Sequence, residues 1–315
     1  MVDEAPSVLV LPDNYQLPSE LKLGPRAHST RAEADARGLT PLRIGIINVM
    51  PKAEEYEPFL LRPLAHAPVA VEPVWLRLES HGYASSDVGH IARHYQAFGD
   101  AHASRPLSGL ILTGAPVEEL EFEAVHYWRE LSLILRFAAK NLPGTLGICW
   151  GGLALAQLLE LEKTSFPKKL FGVYANRNLD PEHPITGQLD DEFFCAHSRH
   201  SGIRDRTLED AATSGKVRLL SHGTETGYTV FESSDRRFLM HLGHPEYEAW
   251  RLAMEWKRDR ALGRTDVAAP HNFDPERPRN VWRSHCNELF TEWLNFLGGS
   301  QPRAHSLSPS ESRAD

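Results

Sequence analysis

Residues Leu146–Leu158 read LGICWGGLALAQL: an apolar run ends at a cysteine, two glycines follow at 151 and 152, and a second apolar segment begins. Thr145–Cys149 reads as a buried strand and Leu153–Glu162 as a helix, which puts Cys149 on a sharp strand-to-helix turn. A thiol there projects from the sheet edge, and the helix dipole favours its thiolate. Gly147, Gly151 and Gly152 allow the turn and a close backbone approach. The Trp150 amide would face an oxyanion formed by attack on a carbonyl, with a second amide from Gly114 or Ala115. A cysteine in isolation is most often a small buried hydrophobe; this position argues for a nucleophile.

Working outward, the same pattern recurs. Arg43–Val49, Val71–Leu78 and Ser108–Gly114 are short apolar runs that read as strands, and Glu121–Lys140 reads as an amphipathic helix. Strands alternating with helices predict a single α/β domain with a flavodoxin-like, mostly parallel sheet flanked by helices. Three later runs, KVRLLSH, YTVFESS and RRFLMHLGH, extend it, and helices in YEAWRLAMEWKRDRAL and NELFTEWLNFL close it. The domain is expected over residues 41–297. Residues 1–40 read as a polar, proline-punctuated arm, and 298–315 as a disordered Ser- and Pro-rich tail.

Composition narrows the class. The chain has 315 residues, 41% of them hydrophobic, and a formal net charge of -8, which argues against a nucleic-acid footprint or an anionic membrane surface. Three cysteines at 149, 195 and 286, with no CxxC pair, fit free thiols in a reducing compartment, so a cytoplasmic protein is expected. The N-terminus lacks the basic region of a secretory leader, and no apolar run nears the ~20 residues of a membrane helix. No metal cluster, P-loop or dinucleotide fingerprint emerges, so no bound cofactor is expected.

A nucleophilic thiol needs a base, and the base an orienter. His244 ends an apolar strand in LGHPEYEAW, and Glu246, two residues on, is placed to fix its tautomer. An elbow cysteine with a distant HPE resembles the class I glutamine amidotransferase-like superfamily. Within it, INVMPK, LTGAPVEELEFEAVHYW, CW, KLFGVY, AHSRH, GHPEY and VWRSHCNELFTEWLNFL, in order between residues 42 and 297, resemble the homoserine O-acyltransferases of methionine biosynthesis.

That resemblance implies a Cys149 acyl-enzyme formed from acyl-CoA and discharged onto homoserine, with His244 as base and Glu246 as orienter. It implies substrate binding by Lys169, Ser198 and Arg258, the last gripping a carboxylate, a role that suits a guanidinium fork. It also implies a homodimer acting on small molecules. Glu118 occupies the position that separates donor preference in the family, where glycine leaves room for the distal carboxylate of succinyl-CoA. Two negative charges ~5 Å apart at an effective dielectric near 20 repel by about 3 kcal/mol, more than about a hundredfold, which favours acetyl-CoA. Succinyl-CoA as donor, or serine or a related hydroxy-amino acid as acceptor, are the alternatives. Two further readings are a glutamine amidotransferase, whose elbow usually continues GxQ where Leu153 stands here, and a non-catalytic metabolite binder. The segment MPKAEEYEPFLLRPL departs from the family pattern, with Tyr56 where threonine is usual and prolines at 58 and 63. Cys195 and Cys286 are assigned packing or no role.

Overall fold

The computed structural model describes residues 9–17, 21, 28–265 and 267–300. Twelve strands join one sheet among the described residues. In chain order they are β1 (Leu9–Leu11), β2 (His28–Thr30), β3 (Leu42–Ile47), β4 (Val71–Arg77), β5 (Gln96–Ala97) and β6 (Gly109–Leu112), then β7 (Thr145–Ile148), β8 (Thr164–Asn178), β9 (Glu192–Gly202), β10 (Val217–Gly223), β11 (Gly227–Ser233) and β12 (Phe238–His241). Their order is β2-β1-β4-β3-β6-β7-β12-β11-β10-β8-β9, with β5 paired to β4. From β2 to β12 every pairing is parallel, and from β12 outward every pairing is antiparallel. The mostly parallel α/β sheet expected from the alternating pattern is what forms.

Among the described residues nine α-helices flank it: α1 (Arg31–Ala36), α2 (Ala53–His66), α3 (Val88–His94), α4 (Phe98–Ser104), α5 (Trp128–Asn141), α6 (Trp150–Leu158), α7 (Asp205–Thr213), α8 (Ala249–Ala261) and α9 (Arg283–Gly299). Strand alternation sorts the core into two layers. Ile44, Ile46, Ile111 and Ile148 point to one face, packed with Phe59 and Leu60 of α2, Leu252 of α8 and Trp293 of α9. Ile47, Leu110 and Leu112 point to the other, with Phe98 of α4, Leu131 and Leu135 of α5, and Leu153 and Leu155 of α6.

The expected arm is built into this sheet. Leu9, Val10 and Leu11 are buried, β1 pairs in parallel with β2, and Leu9 aligns with Val71 of β4. The sheet therefore reaches back past residue 41, because LVL buries an apolar edge that a free arm would expose. Residues 1–8, 18–20 and 22–27 of the arm lie outside the described residues. At the other end α9 runs to Gly299, beyond the expected boundary at 297, and residues 301–315 of the expected tail are outside the described residues.

Two glycines make the turn after β7. A Cβ at Gly147 would lie 2.5 Å from the Gly151 carbonyl oxygen, and one at Gly151 would lie 2.4 Å from that of Leu112. These are backbone atoms that cannot swing aside. Gly151→Ala should therefore destabilise the protein by about 1–3 kcal/mol, the usual range for overpacking. Urea unfolding of the two proteins side by side would check this.

Candidate active site

The carboxyl ends of β3, β6, β7 and β12 face one cavity of about 710 Å³, the place where open parallel sheets bind ligands. Cys149 caps α6 with φ 52 and ψ -115, a conformation that costs a side-chain-bearing residue of order 1–3 kcal/mol unless its surroundings impose it. Here they do: its N–H donates to the His241 carbonyl at 2.8 Å, and its own carbonyl accepts from Leu153 N at 3.1 Å. The elbow expected from LGICWGG thus aims the sulfur into the cavity.

His244 follows β12, its N–H donating to the Ala196 carbonyl of β9 at 2.8 Å. Its Nδ1 lies 2.7 Å from Glu246 Oε1, and its ring stacks on Tyr247 with centroids 4.0 Å apart. Burial opposes protonation of this imidazole, but the Cys149 sulfur and the Glu246 carboxylate beside it raise its pKa well above the ordinary histidine value. That favours the imidazolium form of His244. Gly114 closes the gap between them: a Cβ there would come 3.3 Å from His244 Cε1 and 3.5 Å from Cys149 Cβ. The Trp150 side chain is fully buried against Phe122 and Tyr127, leaving only its backbone to serve the site.

Cys149, His244, Glu118, Lys169, Ser198 and Arg258 all line the cavity, while Glu246 stands behind His244. The lysine and the serine meet on a carboxylate cluster. Lys169 Nζ lies 2.9 Å from Asp259 Oδ2 and 3.6 Å from Glu255 Oε2, with Phe171 beneath it. Ser198 Oγ and Tyr247 OH both donate to Glu255. Burial works against the ionised Glu255, yet Lys169, Arg251 and the Ser198 hydroxyl hold its carboxyl below the usual value. Arg258 Nε and Nη2 bond Asp259 Oδ1 at 2.9 and 2.8 Å.

Glu118 turns inward although Glu119 and Glu121, which follow it, are exposed. Its backbone carbonyl is held by Ser201 Oγ at 3.0 Å and Lys163 Nζ at 3.1 Å. Burial pushes its carboxyl up to about 7, countered partly by the His200 N–H and by the positive charges of His244, Arg199 and Lys169. Oε2 has no hydrogen-bond partner among the described residues.

Sequence reasoning gave no role to Arg251, Glu255 and Asp259. The signal was present: 251, 255, 258 and 259 fall on one face of α8 at helical spacing. Cys195 and Cys286 are free and buried, and neither lines the cavity, although Cys195 packs beside Gly243 just before His244. Among the described residues no group of three or more His, Cys, Asp or Glu could hold a metal ion, and no helix is long and apolar enough to cross a membrane.

Known proteins share both shape and sequence with this chain. It is similar to the crystal structure of a glutamine amidotransferase from Methylobacillus flagellatus, with a TM-score of 0.52 over 85% of this chain and 98% of that one. At 14% identity that likeness shows the fold. Relatives named homoserine O-acetyltransferase from Clostridium novyi and Bacteroides fragilis are each 36% identical, covering 84% of this chain and 88% of theirs. The family model described as homoserine O-succinyltransferase matches residues 9–302. With that match spanning nearly the whole chain, the protein belongs to the homoserine O-succinyltransferase family.

Proposed function

We propose that this protein is a homoserine O-acetyltransferase that works through an acetyl-thioester on Cys149. The observation that carries the reading is the cavity itself, in which a thiol and a buried imidazole share a wall with the inward-turned Glu118. Cys149 thiolate attacks the thioester carbonyl of acetyl-CoA. The tetrahedral oxyanion takes hydrogen bonds from the Trp150 amide and from the Gly114 or Ala115 amide. As the intermediate collapses, the C–S bond to CoA breaks and His244 gives its proton to the departing sulfur. Neutral His244 then removes the proton of the homoserine hydroxyl, whose oxygen attacks the acyl-cysteine. Collapse releases O-acetylhomoserine and restores the thiolate–imidazolium pair, so no proton is gained or lost over the cycle.

Lys169, Ser198 and Arg258 surround the carboxylates of Glu255 and Asp259, a set suited to the paired charges of an amino acid. Glu118 and the names of the relatives both favour acetyl over succinyl. The reading requires acyl-CoA as co-substrate and no resident cofactor. It takes the enzyme to act as a homodimer in the cytoplasm, where its free thiols persist.

Intact-protein mass spectrometry after incubation with acetyl-CoA or succinyl-CoA, without acceptor, tests it. An acetyl adduct on the wild type, none on Cys149→Ala, and discharge by homoserine are expected. A succinyl adduct alone would overturn the donor, and discharge by serine alone the acceptor. No adduct from either would overturn the transferase and favour glutamine hydrolysis, measured as ammonia release.

A further inference from the structure

Tyr56 lies in the segment after Lys52, and the proposed chemistry does not use it. It lies on α2, buried, and its hydroxyl donates to Glu246 Oε1 from 190 positions away in sequence. The same oxygen bonds His244 Nδ1 at 2.7 Å, whereas Oε2 is buried with no hydrogen-bond partner among the described residues. The Tyr56 ring meets Phe59 and Tyr247 at centroid distances of 5.5 and 6.4 Å, and Tyr247 is the ring stacked on His244. Glu57, the next residue, is equally buried and faces a different set of partners. It accepts from the hydroxyls of Tyr15 and Tyr95 and lies 2.8 Å from His90 Nε2. Adjacent side chains thus tie one turn of α2 to the catalytic carboxylate and to a separate polar cluster.

We propose that Tyr56 is a positioning residue of this reaction, its hydroxyl clamping Glu246 Oε1 against His244 Nδ1 and so holding the imidazole beside Cys149. This rests on the acyl-enzyme reading above. A buried carboxylate with one occupied oxygen can turn its other oxygen to the same partner. Two donors converging on Oε1 restrict that rotation. Burial and the Glu246 charge raise the Tyr56 pKa well above that of an ordinary tyrosine, so the hydroxyl keeps its proton and remains a donor.

Tyr56→Phe keeps the ring and removes the hydroxyl. Loss of a hydrogen bond to a charged group should slow single-turnover acetylation of Cys149 by about tenfold to a hundredfold, with half-saturation for acetyl-CoA unchanged. A second readout needs no acyl-CoA: the pH profile of Cys149 alkylation by iodoacetamide, followed on the Cys149 peptide. A loosened Glu246 supports the imidazolium less well, so the midpoint should move up by about one pH unit. Tyr56→Gln, which restores a donor, should retain more rate than Tyr56→Phe. An unmoved or lowered midpoint overturns the proposal, as does a phenylalanine variant faster than the glutamine one, because ring packing alone would then explain the residue. Should wild type take no acyl group, the transferase reading fails, and the alkylation profile still decides what Tyr56 does.

Discussion

His244→Asn is expected to slow acylation of Cys149 by about 10³–10⁴-fold, the upper end of what a positioned acid–base group supplies. Asparagine is the informative replacement. Its amide nitrogen can occupy the place of Nδ1 and donate to Glu246, which sparing that buried carboxylate from isolation keeps the fold intact. It offers no group at the place of Nε2 that can hold and return a proton. Two losses then combine: the imidazolium that favours the Cys149 thiolate, and the acid that protonates departing CoA. Neither contributes to donor binding, so the half-saturation concentration should change little while the rate constant falls. The pH profile of wild type follows from the same pair. Because the His244 pKa lies well above the ordinary value, acylation should persist through neutral pH and decline as rising pH removes the imidazolium proton. Single-turnover mass measurements across pH would read both effects. A variant within about tenfold of wild type would mean that Cys149 is activated without His244.

Much of this site was legible in the sequence because its parts obey local rules. The apolar run of β7 ending at Cys149 ahead of two glycines marks the elbow, and His244 and Glu246 are neighbours by sequence as well as in space. The parallel strands were visible as apolar runs because both of their faces are covered. The β8–β9 hairpin was not, since Lys168, Lys169, His197 and Arg199 interrupt any clean alternation. Arg199 is buried there because Ser201 O, Thr226 O and His197 Nδ1 receive its N–H groups, and Thr226 is brought to it only by tertiary structure. Tyr56 was legible as a departure and illegible as a contact, because 190 residues separate it from Glu246. Arg258 was legible as a cavity residue, but its bond to the neighbouring Asp259 was not. That bond uses two of the five guanidinium N–H groups and fixes which edge is left for a substrate carboxylate, which sequence position alone could not indicate.

Glu118→Gln is expected to remove most discrimination against succinyl-CoA at pH 8 and above, and to make the remaining preference independent of pH. The charge argument alone gives about 3 kcal/mol, more than about a hundredfold. Burial changes that result, because a carboxyl with its pKa pushed up to about 7 can escape repulsion by taking a proton. Proton uptake then limits the selectivity to about twofold at pH 7 and about tenfold at pH 8, with the full hundredfold approached only above about pH 9. Wild type should therefore prefer acetyl-CoA more strongly as pH rises, whereas the glutamine variant should give a flat ratio. The same shift fixes a sign for stability. The ordinary value for this carboxyl is 4.5 and the folded value about 7, so the native state holds the proton more tightly and loses stability as pH rises across that interval. Glu118→Gln should accordingly raise the melting temperature above pH 7 while weakening donor choice. A residue kept only for packing would show neither the pH-dependent ratio nor this opposition. Competition between the two donors at pH 6, 7, 8 and 9, read as the masses of the Cys149 adducts, separates the cases: a ratio that does not climb with pH in wild type would remove Glu118 from donor selection.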